Sequence, residues 1–313
     1  MKKRPWLKRT IWSLTALFAV MNVIAAVHAY RFTHFSEKAQ EKSSMEDPGF
    51  WSNVALIFTG VDNPRPVNTE AADAGFQTVD PEGEIPTSCW YKTTDSAIGT
   101  VIICHGYGGC RSSMLDKADQ FLKMHYNVLL PDFMGCGDSE GNQCTIGYYE
   151  SAQVAACCNY LVGEGEENIV LFGTSMGAVA IMKSLSEDSL NVSAAILECP
   201  FGSMYETTGA RFDMMGVPRF PMAGLLVFWG GVENGFWAFG HNPTEYAKHI
   251  KVPVLLMYGE KDQKVSRAEI DHIFGNITVP KKLVTFAQAG HENYFNQYRL
   301  PWIKAVSEFL ATH

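Results

Sequence analysis

The chain has no surplus of positive charge and no metal-binding spacing. It holds 25 Lys and Arg against 33 Asp and Glu, a net charge of −8, which argues against a nucleic-acid surface as its main purpose. Its eight cysteines form no Cys-x-x-Cys pair and no spaced Cys/His set, so no zinc site is expected. There is no internal repeat and no low-complexity tract, which excludes repeat architectures. Charge is missing altogether from Thr10 to Tyr30, a stretch of about 20 residues and long enough to cross a bilayer as a helix. What is present is a 313-residue chain, 47% hydrophobic and 12% aromatic. That suits one α/β domain of roughly 250 residues with a large core and an N-terminal appendage.

Lys2, Lys3, Arg4, Lys8 and Arg9 precede the uncharged stretch, while Arg31, Lys38 and Lys42 follow it mixed with Glu37 and Glu41. This bias places the N-terminus in the cytoplasm and the rest of the chain across the membrane. The stretch exceeds the usual 7–15 or so residues of a signal-peptide core, so an uncleaved anchor is expected over residues 1–35. The alternative is a signal peptide cut after Val27-His28-Ala29, releasing a secreted or periplasmic protein. Residues 36–74 then read as tether and lead-in, and 75–313 as the main domain.

From Glu84 onward, short Val/Ile/Leu runs alternate with helical patterns. Strands are predicted near 87–91, 100–104, 128–131, 169–172, 194–198, 254–258 and 282–286. Helices are predicted near 112–125, 148–162, 176–186, 267–274 and 301–310. Such alternation implies a mostly parallel sheet covered on both faces, with functional residues at the carboxyl ends of its strands. Cys104, Cys157, Cys158 and Cys199 read as small core hydrophobes. A disulfide among Cys110, Cys136 and Cys144 stays open for an exported domain.

Four strand ends carry candidate chemistry. Gly173-Thr174-Ser175-Met176-Gly177 lies between the apolar run Ile169–Phe172 and a helical run. Small residues on both sides let the chain reverse sharply, exposing the Ser175 hydroxyl beside the free N–H groups of a helix start. Val101–Cys104 leads into His105-Gly106-Tyr107-Gly108-Gly109. There the N–H of Tyr107, with that of Met176, is assigned to an oxyanion hole, and His105 reads as a structural histidine packing the loop. Val254–Tyr258 ends in Gly259-Glu260-Lys261-Asp262, where the Asp262 carboxylate could orient an imidazole. Glu260 and Glu198 are its rivals. The last strand is followed by Gly290-His291, the place for a general base. Ser175, Asp262 and His291 in that order make a nucleophile, an orienting acid and a base. Gly135-Cys136-Gly137 with Gly141 lacks the spacing of a dinucleotide fingerprint, so no cofactor is expected. Cys136 and Cys144 lie at no sharp strand-to-helix turn and are disfavoured as nucleophiles.

With these motifs in order and in strand context, residues 75–313 resemble an α/β-hydrolase of the serine-hydrolase type. The run Pro131-Asp132-Phe133-Met134-Gly135-Cys136-Gly137-Asp138-Ser139 resembles that family's loop after its fourth strand, with Met134 where many relatives carry arginine. The resemblance implies esterase, lipase, peptidase or thioesterase chemistry and does not choose among them. A helical cap is expected at 201–246, an insertion rich in Met and aromatic residues, and an apolar cap would favour a small hydrophobic acyl substrate. Phe220–Phe239 is nearly long enough to span a membrane, but its glycines and Glu233 argue against a spanning helix. The competing readings are a peptide hydrolase of the serine aminopeptidase type, with Glu198, Glu206 or Glu233 receiving the substrate amine, and a non-catalytic binding protein of the same fold.

Overall fold

Alternate side chains along each central strand enter opposite hydrophobic layers. Ile102, Leu129, Leu171, Leu197 and Leu256 face one core, while Val101, Ile103, Leu130, Phe172, Ile196 and Leu255 face the other. This period of two, with both faces apolar, is what a strand buried on both sides requires. The structure, a computed structural model, describes residues 5–37, 59–69 and 75–313.

The strands are β1 (Gln77–Val79), β2 (Ser88–Lys92), β3 (Thr100–Cys104), β4 (Asn127–Asp132), β5 (Ile169–Thr174), β6 (Ala194–Glu198), β7 (Val254–Gly259) and β8 (Lys281–Phe286). They form one sheet in the order β1-β2-β4-β3-β5-β6-β7-β8. β2 runs antiparallel to both its neighbours, β1 and β4, and the remaining pairings are parallel. The main helices are α1 (Pro5–Thr33), α2 (Leu115–Lys123), α3 (Glu150–Gly163), α4 (Met176–Glu187), α5 (Met204–Met214), α6 (Met222–Asn234), α7 (Arg267–Asn276) and α8 (Arg299–Leu310). α2 and α8 cover one face through Phe121, Trp302, Val306 and Phe309; α3, α4 and α7 cover the other. Sequence patterning thus located seven strands and five helices to within a few residues. It missed β1, whose three largely exposed residues carry no alternation.

α5 and α6 make the insertion after β6. α6 is 13 residues long and closes at Gly235 in the left-handed conformation, a common helix stop. The near-spanning run from Phe220 is therefore a short cap helix. It packs along α1, where the Trp229 indole donates to Asn22 (3.1 Å) and the Asn234 amide to Thr33 (3.1 Å). α1 is divided along its length. Residues 6–20 are exposed, whereas Ala25, Ala29 and Thr33 are buried against the rest of the protein. Among the described residues, one helix, Trp6–Thr33, is long and apolar enough to cross a membrane.

The lead-in is not a free tether where it is described. The Gly137 N–H donates to the Pro66 carbonyl (2.9 Å) and the Asn68 amide to Asp132 (2.9 Å). The tether expected from Ser36 to Pro48 lies, from residue 38 onward, outside the described residues. All eight cysteines are buried free thiols, so the disulfide left open among Cys110, Cys136 and Cys144 does not form. Arginine, missing at Met134, reaches the loop after β4 from elsewhere. The guanidinium of Arg111, buried under Trp90 (4.3 Å to the ring centroid), lies 3.2 Å from the Asp132 carboxylate and also pairs with Asp138.

Candidate active site

β5 ends where α4 begins, and the corner between them is Ser175, with φ 53° and ψ −112°. A non-glycine residue there is strained by about 1–3 kcal/mol, so its surroundings must hold it. The Ser175 N–H donates to the Glu198 carbonyl (2.8 Å), and the helix begins at once with Val179 N–H bonding the Ser175 carbonyl (3.0 Å). The flanking glycines are required by close approach. A Cβ on Gly173 would stand 2.6 Å from Gly177, and one on Gly177 2.4 Å from the Cys104 carbonyl oxygen. Beneath the corner, the Glu198 carboxylate accepts from the Thr174 hydroxyl (2.8 Å) and the Trp302 indole (2.6 Å). Both its oxygens are engaged, so Glu198 braces the corner instead of orienting the imidazole.

Asp262 and His291 reach Ser175 because their loops touch. A Cβ on Gly259 would come within 2.6 Å of the Ala289 and Gly290 carbonyl oxygens, so glycine lets β7 end directly beneath the loop after β8. The Lys261 N–H donates to the Ala289 carbonyl (2.8 Å). The Asp262 side chain is fully buried. Its Oδ1 accepts from the Lys264 and Val265 N–H groups (2.7 and 3.0 Å), and its Oδ2 lies 2.7 Å from His291 Nδ1. His291 Nε2 is 3.0 Å from Ser175 Oγ. An ionised carboxylate only accepts, so Nδ1 carries the hydrogen and Nε2 is free to accept the Ser175 hydroxyl proton. Glu260 points elsewhere, half-exposed and 3.7 Å from Arg267.

Burial pulls the His291 pKa down, but the adjacent Cys199 sulfur and the hydrogen bond and charge of Asp262 outweigh it, raising the value to about 10. Cys199 is the residue sequence reasoning missed at this site. It follows β6 at φ 41°, and its sulfur lies within 4.8 Å of the ligand atoms of Asp262 and His291. Its position one residue beyond a strand carboxyl end was the available signal.

Tyr107 and Met176 line the space over Ser175, and neither backbone N–H has a loop or turn acceptor among the described residues. His105 is fully buried: its Nε2 accepts the Phe133 N–H (3.1 Å), leaving Nδ1–H for the Gly106 carbonyl (2.9 Å). It packs the loop, as its sequence setting implied. The Tyr107 side chain turns away toward α1, where it stacks on Phe32 at 4.7 Å and donates to the Phe32 carbonyl (2.7 Å). A narrow space of about 20 Å³ opens over Ser175 and His291, bounded by Phe32, Ile146, Thr207 and Arg211. These four residues also line a chamber of about 460 Å³ between α1, α5 and α6. Of the acids considered for an amine pocket, Glu198 is engaged as described and Glu206 pairs with Arg219 (2.8 Å). Glu233, raised to about 7 by burial, lines neither space.

A mostly parallel sheet with an antiparallel strand near one edge, a serine at the strained turn after its fifth strand and a helical insertion after its sixth are the features of the α/β-hydrolase fold, and the chain has that fold. Within it, the model of the family described as serine aminopeptidase, S33, matches residues 95–221. That match includes the loop at Tyr107 and the turn at Ser175 but ends before Asp262 and His291. The chain is 26% identical to the Bacillus subtilis uncharacterized protein YqkD, over 67% of this chain and 70% of that one. It is 27% identical to protein bem46 of Schizosaccharomyces pombe, over 68% and 67%. Among solved structures, the esterase Pf2001 of Pyrococcus furiosus aligns with a TM-score of 0.66 at 24% identity, over 80% of this chain and 97% of that one. A puromycin-hydrolyzing peptidase of Mycobacterium tuberculosis aligns with a TM-score of 0.61 at 16% identity, over 75% and 38%.

Proposed function

We propose that the protein is a serine hydrolase that cleaves carboxylic esters or thioesters of hydrophobic acyl groups, held to a membrane by α1. The observation that carries this reading is the line of contacts Ser175 Oγ–His291 Nε2 (3.0 Å) and His291 Nδ1–Asp262 Oδ2 (2.7 Å). Ser175 Oγ attacks the acyl carbonyl as Nε2 takes its proton, and Asp262 holds the tautomer and stabilises the imidazolium. The Tyr107 and Met176 N–H groups receive the oxyanion, a contribution of about 3–4 kcal/mol per donor in comparable sites. His291 returns the proton to the leaving alcohol or thiol, and water then releases the acid from the acyl-enzyme by the same steps. The charge bias around α1 puts this domain on the non-cytoplasmic side.

The test is hydrolysis of p-nitrophenyl esters, together with labelling by a fluorophosphonate probe. Ser175→Ala abolishes labelling and lowers kcat by several orders of magnitude. Retained hydrolysis by that variant sinks the reading, and failure of the wild-type protein to label supports a non-catalytic binding protein instead. A peptidase reading has the matched family's description in its favour. Against it, Glu198 and Glu206 already have partners and the chamber lining is mostly apolar. Faster turnover of aminoacyl amides than of acyl esters would reverse the preference.

A further inference from the structure

The cavity that shares its lining with the space over Ser175 is walled partly by the helix that is long enough to cross a membrane. Ile24, His28 and Ala29 of α1 face Met222, Leu226 and Gly230 of α6 across it. At about 460 Å³ it falls within the usual 300–1,000 or so Å³ of a small-molecule site. Its inner end joins the narrow space over Ser175 through Phe32, Ile146, Thr207 and Arg211.

The length of α1 fixes where the chamber sits. Lys8 and Arg9 bound the uncharged run, and about 20 residues cross a hydrocarbon core of about 30 Å. Counted from Thr10, the crossing ends near Ala29. The exposed part, residues 6–20, is only 15 residues, or about 22 Å at the helical rise, and leaves the crossing incomplete. Its remainder is the segment that packs on α6. The bonds Trp229–Asn22 and Asn234–Thr33 order the two helices in the same direction, so the start of α6 lies beside the earlier, membrane-embedded part of α1. The end of α5 and the loop leading into α6 present Met214, Met215, Val217 and Phe220, all exposed, with Phe220 83% exposed. Such a patch is costly in water and at home in a bilayer.

Resting on the hydrolase reading above, we infer that the chamber between α1, α5 and α6 opens into the leaflet holding the end of the α1 span, and that it receives an acyl chain of a glycerophospholipid residing there. The chain enters sideways between α1 and α6, and the ester carbonyl arrives at Ser175. Water and the catalytic residues approach from the sheet side. A cut after Ala29 would remove Ile24, His28 and Ala29 from the wall, so the anchor is retained in the working protein.

Gly230 offers a clean probe, because a Cβ there meets nothing within 4 Å. Full-length protein is reconstituted in phosphatidylcholine vesicles containing a trace of phosphatidylcholine with a diazirine-bearing acyl chain. After irradiation, adducts are expected on the peptides containing Ile24, Met222 and Leu226, and Gly230→Phe is expected to reduce them at least fivefold. In parallel, the ratio of fatty-acid release from vesicle lipid to hydrolysis of p-nitrophenyl acetate falls at least tenfold in Gly230→Phe. Gly230→Leu serves as a second, smaller filler, and fluorophosphonate labelling reports that each variant is folded. Adducts confined to residues 6–20, or adducts and ratios untouched by both fillers, overturn the inference. So does cross-linking of the chamber to a second protein chain in place of lipid. A wild-type protein that hydrolyses the acetate but no vesicle lipid overturns the inference alone. One that takes up photolipid in the chamber but hydrolyses neither ester overturns the hydrolase reading and leaves the chamber standing.

Discussion

At the carboxyl ends of β5, β7 and β8, Ser175, His291 and Asp262 are fixed by directional contacts. Every polar atom in the line has a named partner, and glycines at 173, 177 and 259 let backbones approach where no side chain fits. Between α1, α5 and α6 the contacts are apolar, and the two Asn bonds to α1 are among the few polar ties. The sheet end tolerates little displacement, because a 1 Å error in a reacting geometry costs about 10²-fold. The chamber tolerates changes of side-chain volume, because dispersion contacts are individually weak and non-directional. On the proposed function, chemistry and selectivity are therefore built into separate parts, and each can be disturbed without the other.

The largest expected effect is at the sheet end. Asp262→Asn keeps the shape but favours the wrong His291 tautomer, and kcat should fall about 10⁴-fold across all acyl lengths alike. Steady-state rates on acetate and longer esters check this, and a fall confined to long chains would erase the contrast. Next is Arg111→Met. It leaves Asp132 buried without its cation, a loss of about 3–5 kcal/mol, read as a lower midpoint of thermal unfolding in detergent. If the midpoint holds, the loop after β4 does not depend on that pair.

On the chamber side, His241 is fully buried, with Nε2 3.0 Å from the carbonyl of Ile146, a chamber residue. Burial lowers its pKa to about 4, against about 6.5 unfolded. Above about pH 6.5 both states are neutral there and stability does not change. From 6.5 toward 4 the unfolded chain binds the proton first, so stability falls by up to about 1.4 kcal/mol per pH unit. His291 and Glu233, both raised in the folded state, act in the opposite direction, because there the folded chain binds the proton first. The His241 contribution is therefore read as a difference: the unfolding midpoint at pH 5 relative to pH 7 should be higher in His241→Gln than in wild type.

The smallest effect concerns Cys199. Since Ser175 needs His291 neutral, kcat/KM should rise with pH through a midpoint above the ordinary imidazole value, in the direction of the His291 shift. Cys199→Ala should move that midpoint downward. An unmoved limb would show that the sulfur does not influence the imidazole.

What was legible in the sequence follows the same division. The strand-end motifs could be read because each needs particular residues at fixed local offsets: glycines around Ser175, Gly259 three before Asp262, Gly290 before His291. Arg111 could not be read as the partner of Asp132 because the pair is 21 residues apart and joined only by the fold. The packing of α1 on α6 was illegible for another reason. Lipid and a cap helix ask for the same apolar side chains, so no periodicity separates the half of α1 that touches protein from the half that does not. Cys199 was hidden because a buried thiol beside an imidazole and one in a core leave the same trace in the chain.

The ring of Tyr107 stacks on Phe32, one residue before α1 ends. The backbone amide proposed to receive the oxyanion therefore takes its bearing partly from a segment that is commonly trimmed to obtain a soluble preparation. A fragment begun after residue 35 would lose that support along with the chamber wall. Its turnover numbers would then describe an enzyme with a loosened transition-state cradle, and inhibitors ranked on it would be ranked against a shape the intact protein never presents.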